Sequence, residues 1–165
     1  MGVQYSMRLQ VGTGIDNYID QLTNLEMDAP KAIGKAVYEG AAVVADAIKA
    51  NIGNIPVDED SSDGKRDGLK QIQIIGLKKG FGLTKMRDDS GYYNVKAGFD
   101  GYNLLKTKKY PNGQPNAMIA RTIESGNSFT TKHPFVAPAV RASKDKAEQK
   151  MAEVIDRETA EIFRS

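Results

Sequence analysis

"DAPKAIGKAVYEGAAVVADAIKANI", residues Asp28 to Ile52, is the stretch on which the fold turns. Ile33, Val37, Ala41, Val44, Ile48 and Ile52 follow one another at steps of three and four, the spacing of one helical face. Asp28 suits an N-cap and Pro30 a first turn, where a missing N–H removes no helical bond. The run predicts a helix about 36 Å long. Its small residues, Gly34, Ala36, Gly40, Ala41, Ala42, Ala45 and Ala47, let a neighbouring element approach closely. A helix with one long apolar stripe needs a surface to cover that stripe, and the flanking sequence supplies candidates.

Working outward, Val3–Val11 alternates apolar and polar residues and predicts a strand, followed by helical spacing over Ile15–Leu25. Leu69–Leu77 ("LKQIQIIGL"), Phe81–Thr84 and Tyr92–Phe99 also carry β-like spacing, with "KMRDDSG" as a hairpin end. Met118, Ile119 and Ile123 predict a short helix over Ala117–Ser125, with a strand as the alternative. Pro138 opens a final helix to Phe163, whose apolar face is broken only by Glu158. Gly53–Gly68 and Gly101–Asn116 read as long polar loops without apolar anchors, expected to be mobile in a free subunit and to serve as contact arms. Together these elements predict a single α+β domain over residues 1–165, with the Asp28–Ile52 and Pro138–Phe163 helices packed on one antiparallel sheet.

The composition narrows the chemistry. The 165 residues include one His and no Cys or Trp, with a formal charge of +2. No disulfide, thiol nucleophile or thiolate metal site is therefore available, and one His cannot make a His-rich centre. The weak net charge does not by itself mark a nucleic-acid binder. No apolar run approaches the roughly 20 residues of a membrane helix, and "MGVQYSMRLQVG" lacks the apolar core of a signal peptide.

"ESGNSFTTKHPFVAPAV", Glu124–Val140, is the stretch where chemistry is first sought. Glu124, Ser125 or Ser128, and His133 include the residue types of a Ser–His–acid site. The surroundings lack the G-x-S-x-G turn, and three such groups from one short segment are unusual, since triad members converge from distant segments. The structural reading is a corner: Gly126 as a turn or cap, Pro134 holding the chain extended before a core Phe135, and Pro138 starting a helix. "DEDSSDG" fails as a calcium loop, because the position that needs a bidentate Glu is Lys70. "GLKKGFG" lacks a phosphate-cradle spacing, and the S-x-x-K matches at Ser62 and Ser143 have no companion motifs. No metal or cofactor is expected. Lys78, Lys79, Lys106, Lys108 and Lys109 stand near Tyr102 and Tyr110, the mixture that single-strand binders use, although lysines also keep exposed edges soluble.

The order of elements, with "IESGNS" followed by "HPFVAPAV", resembles the tail-component family of long-tailed bacteriophages, the neck or tail-completion proteins involved in head–tail joining. The residues that carry the resemblance are Glu124, Gly126, Pro134, Phe135, Val136, Pro138 and Ala139. Asn127 stands where the family usually has Thr or Ser, and "GLKQI" lacks the Ser of the family's turn. The resemblance implies a structural protein and no enzyme: a subunit of a ring, commonly hexameric, at the neck or tail end of the virion. Its implied partners are its own copies, the head connector or stopper, and the tail-tube or terminator proteins. Genome DNA in the channel would face lysine-bearing loops, no membrane is involved, and the protein would pass through the host cytoplasm during assembly. The alternative from a different class is a small nucleic-acid-binding protein using the basic loops.

Overall fold

The computed structural model describes residues 7–8, 29–60 and 64–162. Among them are four helices, α1 (Ala29–Ile52), α2 (Gln71–Gly80), α3 (Asn116–Ser125) and α4 (Val136–Ile162). The strands are β1 (Met7–Arg8), β2 (Phe81–Leu83), β3 (Arg87–Asp89), β4 (Tyr92–Asn94) and β5 (Lys96–Phe99). The fold is α+β, with helices packed on small antiparallel sheets. The strands divide into a three-stranded sheet of order β1-β5-β2 and a separate β3–β4 hairpin, where one sheet was expected. Met7 pairs with Ala97 in the first, and Asp88 with Tyr93 in the second. The rest of Val3–Val11, the helix expected over Ile15–Leu25, and Phe163 lie outside the described residues.

The largest departure from expectation is Leu69–Leu77, which is not a strand. It lies mostly within α2, whose buried residues are Gln73, Ile74, Gly76 and Leu77. That is a helical stripe, but it contains a Gln and a Gly, so an apolar-pattern reading passes over it. Tertiary contact decides the matter. The Asn103 amide donates to the Gln73 carbonyl at 3.0 Å, and a Cβ at Gly76 would collide with that amide. At the start, the Gln73 side chain accepts the Lys70 N–H at 3.0 Å, one arm of a capping box.

The chain forms two compact units. One gathers Asp46–Gly82 and Gly98–Arg141. Its core includes Ile48, Ile52, Leu77, Ile119 and Ile123, with the rings of Phe81, Phe99 and Phe135. Phe81 and Phe99 lie 5.1 Å apart, and Phe135 meets Phe99 edge-on at 6.0 Å. Such aromatic pairs add roughly 0.5–1.5 kcal/mol beyond their buried area.

The polar loops of this unit are anchored, though by hydrogen bonds more than by apolar side chains. Asn103 is buried and binds Asn116 Oδ1 at 3.0 Å, while Asn116 donates to the Asp100 carbonyl at 2.9 Å. These bonds close the base of the 101–116 segment. In the other loop Ile55 is buried, Val57 bridges to Leu69, and Arg66 bridges to Thr130.

The other unit consists of the described parts of Met7–Ala45, Leu83–Ala97 and Ala142–Ser165. Ala29, Ile33 and Ala36 of α1 cluster with Met151, Val154 and Ile155 of α4, and Tyr93 packs against them. Met151 comes so close to Gly40 that no Cβ fits there. Glu158, the break in the α4 apolar face, is paired with Lys35, while Arg157 reaches Glu39 at 3.2 Å and Lys150 reaches it at 3.4 Å. The Lys35 ammonium, ahead of Arg157, holds the Glu158 carboxyl below its ordinary range.

Candidate functional site

The corner is built from the end of α3, the 126–135 connection and the start of α4. Ile123 is fully buried, which fixes the last turn of α3 and leaves Glu124 half-buried beside it. Gly126 ends the helix with φ 71°, a conformation that disfavours any side chain, and its N–H returns to the Thr122 carbonyl at 2.8 Å. The chain then makes a tight turn: Asn127 donates to the Thr130 carbonyl at 3.0 Å, and the Phe129 N–H reaches Asn127 Oδ1 at 2.8 Å. Phe129 is left 75% exposed at its tip. Pro134 precedes buried Phe135, whose carbonyl accepts the Asn51 amide at 3.0 Å.

Glu124 ties these parts together. Its Oε2 accepts the N–H groups of Phe135 at 2.7 Å and Val136 at 2.9 Å, and its Oε1 that of Ala137 at 3.0 Å. These are donors that a helix start leaves without intrahelical partners. Pro138 follows as the third residue of α4 and has no N–H to satisfy. The helix therefore begins at Val136, two residues before the expected start at Pro138, because a carboxylate from another helix caps it. Negative charge at that end also opposes the positive pole of the helix.

Of the residues expected in this motif, Glu124, Gly126, Pro134, Phe135 and Pro138 all come together in the corner. The candidate Ser–His–acid set does not assemble. Glu124 is engaged by backbone amides, and the His133 Nε2 lies 2.8 Å from Asp67 Oδ1. Ser125 and Ser128 are exposed. Asp67 escaped the sequence reading, and so did the backbone bridge beside it, in which Arg66 N–H donates to the Phe129 carbonyl at 2.9 Å and Thr131 N–H to the Arg66 carbonyl at 2.7 Å. No local signal marks residues 66 and 67 as partners of residues more than sixty positions away.

The lysines lie on two elements of the same unit. Lys78 and Lys79 are exposed in the last turn of α2. Lys106, Lys108 and Lys109 are exposed on the 101–116 loop, with Lys109 Nζ 5.5 Å from the centre of the Tyr110 ring. Asn103 fastens that loop to α2. The segments 69–80 and 101–123 contain no Asp or Glu of their own. Of the acids near these lysines in sequence, Asp100 adjoins the loop in the same unit, while Asp88 and Asp89 belong to the β3–β4 hairpin of the other unit.

Among the described residues, no group of three or more His, Asp or Glu side chains is placed to hold a metal ion, and no helix is long and apolar enough to cross a membrane. Compared with protein-family models, with curated proteins and with solved structures, the chain finds no match.

Proposed function

We propose that this chain is a structural subunit of a tailed-bacteriophage particle, occupying a ring position at the neck or tail end and acting through shape and contact area without turnover. The observation that carries this reading is the use made of the resemblance-bearing residues. Glu124, Gly126, Pro134, Phe135 and Pro138 spend their chemistry on holding one corner rigid. A contact module needs such stiffness, because each mobile side chain at an interface adds an ordering cost of roughly 0.5–1.5 kcal/mol. Subunits of a closed ring meet through two different patches, so a hexamer of this chain would display a distinct surface on either side. Its partners in this reading are its own copies, the head connector or stopper, and the tail-tube or terminator proteins, with genome DNA passing through the ring.

The test is an amber mutant in the gene, with the lysate viewed by electron microscopy. Filled heads and tails that fail to join, or tails of abnormal length, are the expected result. Normal infectious particles lacking the protein would end the proposal.

A second reading, binding of nucleic acid through the basic loops, draws on the acid-free segments 69–80 and 101–123 with exposed Tyr102. It requires retention on single-stranded DNA that falls steeply with salt and with joint replacement of Lys106, Lys108 and Lys109.

A further inference from the structure

The exposed face of α2 has an unusual layout. Its exposed residues are Gln71, Ile72, Ile75, Lys78 and Lys79. Ile72 is 41% and Ile75 39% exposed, on a helix whose other side is already buried in the core. The N-terminal end is acidic on balance, because Glu59 of the preceding loop accepts the Gln71 N–H at its Oε1 at 2.9 Å and exposed Asp60 follows it, against the single cation Lys70 at the N-cap. The C-terminal end is basic, through Lys78 and Lys79. The face and the loop end beside it thus run from negative through apolar to positive.

We infer that two copies of this chain pair through α2, antiparallel, about a two-fold axis at Ile75. That axis sets Gln71 opposite Lys79, so each copy's Glu59 meets the other's Lys79. Ile75 of both copies then meets at the axis, and each Ile72 lies between the other copy's Ile75 and the aliphatic stem of its Lys78. The charged ends are about 12 Å apart along the helix. A face with opposite charges at its ends and apolar residues between them is self-complementary only in this antiparallel sense, as a two-fold interface requires. Antiparallel alignment also sets the opposite poles of the two helices side by side. The face is small beside the roughly 800 Å² per partner of a stable complex, so the pairing is weak and salt-sensitive. Charge complementarity selects a second copy as the occupant: a polyanion would match the lysines but be repelled by Glu59 and Asp60, and would leave the two isoleucines uncovered. The inference stands apart from the particle role, since pairing in solution and the amber phenotype are separate readouts.

The chain has no Cys, so Ile75→Cys introduces a single thiol at the axis. Under mild oxidation in low salt, Ile75→Cys is expected to form disulfide dimers at least about tenfold faster than Tyr38→Cys, an exposed control on α1. Lys79→Glu and Glu59→Lys, each placed in the Ile75→Cys background, should separately slow this reaction. Mixing the two should restore it as a one-to-one heterodimer, because both facing pairs then become opposite in charge. High salt should slow the parent reaction. Equal rates for Ile75→Cys and Tyr38→Cys would overturn the inference. So would failure of the mixture to recover, provided each single variant melts as the parent does. If Lys79→Glu removes binding to a single-stranded oligonucleotide while cross-linking stays at the control rate, the face is a polyanion site and the pairing is wrong.

Discussion

Replacing Glu124 with Ala should destabilise the protein more than its half-exposed position suggests. The substitution removes the acceptor of three N–H groups at the start of α4. The Phe135 and Val136 bonds are partly buried, whereas Ala137 is exposed and water can replace its partner. A buried donor left unsatisfied costs about 1–3 kcal/mol, so two half-buried donors lose about 2–3 kcal/mol together. Loss of negative charge at the helix start adds about 0.3–1 kcal/mol. The sum, about 2–4 kcal/mol, corresponds to a fall in Tm of roughly 5–15 °C for a chain of this length. Glu124→Gln keeps one acceptor oxygen and loses the charge, so its deficit should be about half as large. Urea unfolding followed by circular dichroism measures both. A Glu124→Ala protein that unfolds within about 0.5 kcal/mol of the parent, or a Gln variant as weak as the Ala variant, would refute the capping role of Glu124.

Phe135→Ala should cost about 3–5 kcal/mol, since it opens a cavity beside Phe99, while His133→Ala, which breaks only a solvent-exposed pair with Asp67, should cost under about 1 kcal/mol; thermal melts that rank them the other way would reject the corner. Asn103→Leu strips the Gln73 carbonyl and Asn116 of their shared donor and should cost about 2–4 kcal/mol; limited proteolysis should then cut first within residues 101–116, and unchanged cleavage would refute the anchor. For Glu158, pairing with Lys35 lowers the folded-state carboxyl pKa, so the unfolded chain holds the proton to higher pH. Its stabilisation is therefore full above the ordinary carboxylate range and lost as pH falls through the folded value; Glu158→Gln should be the less stable protein at neutral pH and equal to the parent in acid.

Much of the architecture is legible where one segment carries its own pattern. The stripe from Ile33 to Ile52 specifies α1 because the period of 3.6 is repeated over six turns, and the structure places the helix at Ala29–Ile52. The "DDSG" hairpin end is equally local: Ser90 and Gly91 both adopt positive φ between β3 and β4. Ala117–Ser125 differs from α3 by one residue at its start. The corner residues could be named from sequence for the same reason, since Gly, Pro and a large aromatic restrict the backbone wherever they stand.

The sequence alone therefore determined the α+β class, the long helices, the hairpin turn and the existence of a corner, all of which follow from spacing and backbone restriction within a few residues. Tertiary structure decided the rest. Leu69–Leu77 carries β-like spacing yet is mostly helical, and in that form it places Gly76 and the Gln73 carbonyl against the amide of Asn103, thirty residues away from Gln73. Glu124 gives no sign in sequence that it will cap a helix that starts twelve residues on. The start of α4 depended on that cap, and the base of the 101–116 loop on the Asn103–Asn116 pair. The physical reason is shared: a polar group's partner is set by where the folded chain leaves an unsatisfied donor or acceptor, and that accounting closes only in three dimensions.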